Sequence, residues 1–175
     1  KIHSNALVMQ EAPSPFCHFS DRACVLALES ATHCSGILGA TGGQFLDLFP
    51  PNQGLETVKE VIYKKTVTLF EVSFVLGWVF GGGDISKLEK LKKAAYHFGL
   101  AFQIADDLGD LFQDEKKQRE ISIARLIGKE RGFLLFEEEM RHFRKELQEL
   151  NIFNPSFEKM CGILVKYAIE NMHFS

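Results

Sequence analysis

The sequence lacks patterned cysteine, and it is poor in polar aromatic residues and in excess charge of either sign. Its four cysteines, Cys17, Cys24, Cys34 and Cys161, show no Cys-x-x-Cys spacing and no companion histidine cluster. That argues against a zinc-ribbon or disulfide framework and reads as reduced, buried thiols in a cytoplasmic setting. A net charge of −3 supplies no basic stripe, so a nucleic-acid partner is not expected. The longest apolar run, Leu69 to Phe80, contains Glu71 and is too short to span a bilayer, so no stable membrane insertion is expected. No signal peptide is visible, and no segment alternates with a period of two between turn signals, which removes strands from the reading. The six histidines show no ligand spacing and carry no assigned role.

What is present is ordinary globular material: 46% hydrophobic and 25% charged residues, with sixteen Phe against one Trp and three Tyr. Most of those rings belong in a core, and some could line a greasy pocket. The length fits a single helical domain over 1–175 or part of a larger one. Helical periodicity predicts a first helix from Asp21, N-capped by Ser20, to about Leu48. Its second half holds Gly36, Gly39, Gly42 and Gly43, and each glycine weakens a helix by roughly 1 kcal/mol relative to Ala. Such tolerance implies close approach of a neighbour or ligand. Pro50-Pro51-Asn52-Gln53-Gly54 breaks the chain, and a second long helix follows from about Leu55 to Phe80, ended by Gly81-Gly82-Gly83. A third, capped by Asp84 or Ser86, runs to about Gln113. A short helix over 122–127, an amphipathic one over 131–150 and a last one over 157–172 complete an all-α bundle of long antiparallel helices.

Three constellations carry chemistry. In the third helix, Asp106, Asp107 and Asp110 stand at i, i+1 and i+4 with Gln103 one turn earlier. An arbitrary Asp-Asp-x-x-Asp is a solvated face. Here Phe102, Ile104, Ala105, Leu108, Leu111 and Phe112 surround the carboxylates, and no Lys or Arg lies within a turn to pair them. A buried acidic triad requires a cation, and hard oxygen donors favour magnesium or calcium. In the second helix, Lys64-Lys65-Thr66 points its two lysines about 100° apart, so at most one faces a given site. It could hold a phosphate oxygen or be an exposed basic pair. In the first, Gly42-Gly43-Gln44 with Asp47 marks either a polar patch beside a cavity or a helix-packing notch.

The order Gly-Gly-Gln-x-x-Asp-Leu, Lys-Thr, then Phe-Gln-x-x-Asp-Asp-x-x-Asp after a glycine turn resembles the isoprenoid diphosphate synthases, the trans-prenyltransferases that include farnesyl and geranylgeranyl diphosphate synthases. The resemblance extends from about Ser20 to the end of the chain and implies their helical fold. It implies condensation of isopentenyl diphosphate with an allylic diphosphate through a magnesium-assisted allylic carbocation. By the same resemblance, Asp106, Asp107 and Asp110 are the second aspartate-rich motif that holds Mg2+. Lys65 contacts the allylic diphosphate, Thr66 and Gln103 turn oxygens toward the developing cation, and Gln44 and Asp47 form the polar pair beneath the substrate. A homodimer is implied as well. The Gly-Gly-Gln-x-x-Asp and Lys-Thr elements separate this pattern from the terpene cyclases.

The chain also departs from the pattern. Val67 follows Lys65-Thr66 where glycine is common, and Glu120 falls where a diphosphate-binding lysine is expected, with Lys116, Lys117 and Arg119 nearby. The family's first aspartate-rich motif belongs upstream of Lys1. The expectation is therefore a C-terminal part of such an enzyme, inactive by itself. The alternative is a non-catalytic prenyltransferase-like subunit or divergent homologue that binds a partner synthase.

Overall fold

The computed structural model describes residues 21–113 and 122–173. The expected all-α architecture is what is found, and no strand occurs among the described residues. The helices are α1 (Asp21–Ser35), α2 (Ala40–Leu48), α3 (Leu55–Ile62), α4 (Thr68–Phe80), α5 (Leu88–Gln113), α6 (Ile123–Ile127), α7 (Lys129–Glu149) and α8 (Pro155–His173). A π-helical turn, Tyr63–Val67, joins α3 to α4, and a 3-10 turn, Ile85–Lys87, leads into α5. The Ser20 cap, Cys17, Glu120 and the cations Lys116, Lys117 and Arg119 lie outside the described residues.

Helix α5 is the axis of the bundle. Ala94, Ala101, Ile104, Ala105 and Leu108 are completely buried along it. The small side chains of Ala94, Ala101 and Ala105 let neighbouring helices approach closely, while Ile104 and Leu108 fill the core beside them. From α7, Phe136, Met140, Phe143 and Leu147 fill the space opposite, and Phe98 meets Phe143 at a ring-centroid distance of 4.9 Å. Phe70 of α4 packs edge-on against Phe98 at 5.1 Å. Each fully buried Phe contributes roughly 1.5–3 kcal/mol of transfer free energy, so this aromatic seam holds α5 in place along the length that carries the aspartates.

The helix ends follow local chemistry. Asp84 accepts the Ser86 N–H at 2.9 Å and starts the turn into α5. Ser122 caps α6 by accepting the Arg125 N–H. Asn154 accepts from Ser156 and Phe157, with Pro155 at the first helical position of α8.

Three readings of the sequence are corrected. The helix expected from Asp21 to Leu48 is two helices, because the chain turns at Gly36–Gly39 and the Gly39 backbone (φ −118°, ψ −137°) is non-helical. By composition the stretch Asp21–Leu48 is long and apolar enough to cross a membrane. The break leaves helices of 15 and 9 residues, each short of the ~20 a crossing needs. Second, Cys34 and Cys161 are buried thiols as expected, whereas Cys24 is exposed because α1 turns it to the surface. Third, the histidines are not all scattered: His97 and His142 meet across the α5–α7 contact. Residues 42 to 45 positions apart in sequence carry no local spacing signal.

Candidate active site

The polar residues of α2, the π turn and α5 converge on one cleft of about 210 Å³. Its lining includes Asp47, Lys65, Thr66, Gln103 and the three aspartates Asp106, Asp107 and Asp110, joined by Ser122 and Arg125 at the start of α6. The π turn governs the first wall. Lys64 points away and pairs with Glu60 at 2.8 Å, while Lys65 faces the cleft and meets Asp47 at 2.5 Å. Of the two adjacent lysines, therefore, only Lys65 reaches the site.

Gly43 makes that meeting possible. A Cβ there would lie 2.4 Å from the Lys65 backbone nitrogen. The glycine is thus a packing notch, and through the notch it also sets the position of Asp47 one turn later.

Thr66 continues the wall toward α5. Its hydroxyl donates to Gln103 Oε1 at 2.7 Å, and Gln103 Nε2 donates to Asp107 Oδ1 at 2.9 Å. The amide orientation follows from the partners: an ionised carboxylate only accepts, so the NH2 group must face Asp107 and the carbonyl must face Thr66. The second oxygen of Asp107 accepts the backbone N–H of Ile123 at 2.8 Å, which ties α6 to α5.

The three aspartates are therefore not equivalent. Asp107 is buried and hydrogen-bonded at both oxygens, Asp106 is half-buried and Asp110 is exposed. The expectation of a uniformly buried, unpaired triad is corrected accordingly: α5 buries the side carrying Ile104, Ala105 and Leu108, Asp107 stands at the edge of that side, and Asp106 and Asp110 lie on the far side toward the cleft. Burial pushes the Asp107 carboxyl up to about 6, against the opposing effect of its bonds from Gln103 and Ile123. Burial, then the neighbouring Asp110 charge, raises Asp106 above the usual carboxylate range, while the Tyr167 hydroxyl at 3.4 Å opposes the rise. Asp106 and Asp110, one turn apart, give the cleft two hard oxygen donors whose mutual repulsion a bound cation relieves. Magnesium fits such a donor set.

Gln44 sits elsewhere from Asp47. It is exposed and borders an adjoining apolar groove of about 550 Å³ with Leu69, Phe70 and Phe102, and Lys65 and Thr66 line both spaces. Some Phe rings do line a greasy pocket, as the composition suggested. Thr66 stands where the acidic cleft meets this groove.

Ser122, Arg125, Tyr167 and Asn171 were not singled out from sequence. Asn171 donates to the Ala105 carbonyl at 3.0 Å, and a Cβ at Gly109 would lie 2.6 Å from its amide nitrogen. The glycine inside Asp-Asp-Leu-Gly-Asp was the available signal: it marks where α8 crosses α5.

Comparison with known proteins follows the same residues. Residues 25–126 match the family described as polyprenyl synthetase, a stretch that contains every site residue expected from the sequence, while Tyr167 and Asn171 lie beyond it. A trans-prenyltransferase of African swine fever virus (isolate Pig/Kenya/KEN-50/1950) is 32% identical over 104 residues, 57% of this chain and 31% of the viral protein. Geranylgeranyl pyrophosphate synthase 3, chloroplastic, of Arabidopsis thaliana is 31% identical over 159 residues, 82% of this chain and 43% of that protein. Among solved structures, an FPP/GFPP synthase from Zymomonas mobilis superposes with a TM-score of 0.70 at 24% identity, covering 86% of this chain and 53% of that one. A geranyltransferase from Helicobacter pylori, solved with magnesium and isoprenyl diphosphate, gives 0.65 at 23% identity, covering 89% and 55%. At these identities the structural matches establish the isoprenoid synthase fold. The chain spans about half, or less, of the length of the relatives it matches.

Proposed function

The chain belongs to the polyprenyl synthetase family, and from that premise we propose that its cleft is the part of a prenyl diphosphate synthase site that receives an allylic diphosphate. The observation that carries this is the junction at Thr66, where a charged cleft containing Asp106, Asp110 and Lys65 opens into a groove lined by Leu69, Phe70 and Phe102. An allylic diphosphate has the same division, an anionic head joined to an apolar tail at the carbon that becomes cationic.

In the proposed reaction the allylic C–O bond breaks and its electron pair leaves with diphosphate. The double bond of isopentenyl diphosphate then forms the new C–C bond, and the proton it sheds passes to the released diphosphate. Asp106 and Asp110 hold magnesium, with Asp107 fixing the helix between them. Bound there, the ion neutralises charge on the leaving diphosphate. Lys65 shifts from Asp47 to the diphosphate oxygens. Thr66 has spent its proton on Gln103, so its oxygen lone pairs remain for the electron-poor carbon. The Phe-lined groove excludes water that would trap the cation. The homodimer is part of the same proposal: Val25, Leu28, Ile37 and Leu38 form an exposed apolar face on and after α1, suited to a second copy.

The test is calorimetric titration of a non-hydrolysable allylic diphosphate analogue with and without magnesium, comparing the native sequence with Asp106→Ala. Binding should require magnesium and weaken by more than about tenfold in the variant. Equal binding by the two proteins sinks the metal assignment. Analogue binding without turnover of isopentenyl diphosphate, in a chain extended to the length of its relatives, would favour the non-catalytic subunit.

A further inference from the structure

On the α7 side of α5, away from the cleft, three ligand side chains converge. His97 of α5 and Glu139 and His142 of α7 offer donor atoms that all lie within 4.8 Å of one another. His97 Nδ1 is 2.6 Å from Glu139 Oε2, and the two imidazole rings are 5.0 Å apart. Glu139 is 9% exposed, and both histidines are half-buried. Six residues separate His97 from Gln103, a rotation of about 240° around α5, so the cluster and the proposed diphosphate site occupy different faces of one helix.

We propose that His97, Glu139 and His142 form a binding site for a divalent transition ion of the zinc class, clamping α5 to α7. The donor set makes the chemical choice. Two imidazoles and one carboxylate suit zinc, nickel or cobalt, whereas the oxygen donors of the cleft suit magnesium. Glu139 and His142 stand at i and i+3 on α7 and so share a face, and His97 supplies the third ligand from across the helix contact. A carboxylate buried this deeply needs a cationic or hydrogen-bonding partner, and His97 provides one while no ion is bound.

The distances allow the exchange. Tetrahedral zinc with bonds of about 2.0–2.1 Å places its donors about 3.3 Å apart. The His97–Glu139 pair at 2.6 Å opens by less than about 1 Å, and the widest separation, at most 4.8 Å, closes by about 1.5 Å or less. Rotations about side-chain bonds cover such shifts with both helix backbones in place. Three protein ligands leave one position for water.

The experiment uses the metal alone. Chain stripped with a chelator is titrated calorimetrically with zinc, and separately with cobalt(II) while the visible spectrum is recorded. The expected result is one equivalent of zinc, a cobalt band of the intensity given by four-coordinate sites, and a higher unfolding midpoint with zinc present. His97→Ala and His142→Gln should each weaken zinc by more than about tenfold, with circular dichroism confirming that they fold. Asp106→Asn and Asp110→Asn should leave zinc affinity unchanged. The proposal is overturned if no stoichiometric zinc binds, if folded histidine variants bind as tightly as the native sequence, or if the aspartate variants are the ones that lose it.

Discussion

Replacing Gly43 by alanine tests how the site is assembled, because the expected effect runs against helix propensity. In a helix, alanine is favoured over glycine by about 1 kcal/mol. At Gly43 the new Cβ would lie 2.4 Å from the Lys65 nitrogen, 2.8 Å from the Lys64 carbonyl carbon and 2.8 Å from the Lys65 Cα. Ordinary contact begins near 3.4 Å, so α2 must retreat by about 1 Å. The obstructing atoms are backbone and cannot swing aside, which places the cost at the upper end of the 1–3 kcal/mol typical of overpacking. After the propensity gain, Gly43→Ala should destabilise by about 2 kcal/mol in urea unfolding. Asp47 travels with α2, so its 2.5 Å contact with Lys65 should stretch to about 3.5 Å, past a useful hydrogen bond. Gly77→Ala in α4 and Gly162→Ala in α8 are the controls. Neither added Cβ meets an atom within 4 Å, so each should gain up to about 1 kcal/mol. If Gly43→Ala stabilises as the controls do, the α2–π-turn contact does not constrain the site.

Further outcomes follow from single groups. Asp107→Ala removes the acceptor of the buried Ile123 N–H and of Gln103 Nε2, and should cost about 1–3 kcal/mol. Hydrogen exchange should accelerate at Ile123 before it does at the α5–α7 core. Asp106→Ala should lose magnesium-dependent affinity for the diphosphate analogue while leaving the urea midpoint nearly unchanged, because Asp106 makes only a 3.4 Å contact with Tyr167. Glu71 is buried, and that burial holds its carboxyl above the ordinary value of 4.5 despite Lys92 and His33, with Glu89 adding to the rise. The folded state therefore binds the proton more tightly than the unfolded chain does. Stability attributable to this group is full below pH 4.5 and falls as the pH rises through the folded value. Glu71→Gln should raise the urea midpoint at pH 7, and the gain should shrink on acidification toward that ordinary value. A gain that grows on acidification would contradict the assignment.

Fold class and most helix ends were legible because local chemistry decides them. Ser122 before α6, Asn154-Pro155 before α8 and the Gly81–Gly83 stop after α4 each act within a few residues of their effect. The break between α1 and α2 was not legible, since Ile37, Leu38 and the glycines continue the helical period in composition while the backbone departs from it at Gly39. At the site, the residue types were recoverable from motif order, but their division of labour was not. Thr66 and Gln103 are 37 positions apart, and Asp107 is separated from Ile123 by 16. Only packing shows that Gln103 bridges Thr66 to Asp107, or that Asp107 serves as a structural anchor while Asp106 and Asp110 remain available to the cleft.

The π turn shows how a local irregularity can be written in the sequence. Along α3, the turn and α4, one row of buried positions, Val58, Ile62, Val67, Glu71, Val75 and Val79, steps by four residues except once, with Thr57 and Thr68 buried beside it. Between Ile62 and Val67 the step is five. A regular α-helix with that step would rotate its second half by about 100° and carry Val75 and Val79 out of the core. The π turn absorbs the additional residue and keeps both halves in register. The residues carried by the turn between these two buried positions include Lys64, Lys65 and Thr66, all half-buried. Lys65 is thereby turned toward α2 and Thr66 toward α5, so one chain segment contacts both walls of the cleft. The buried row beneath the turn, Ile62 and Val67 above all, holds this geometry in place, and its five-residue step falls at the segment that carries Lys65 and Thr66.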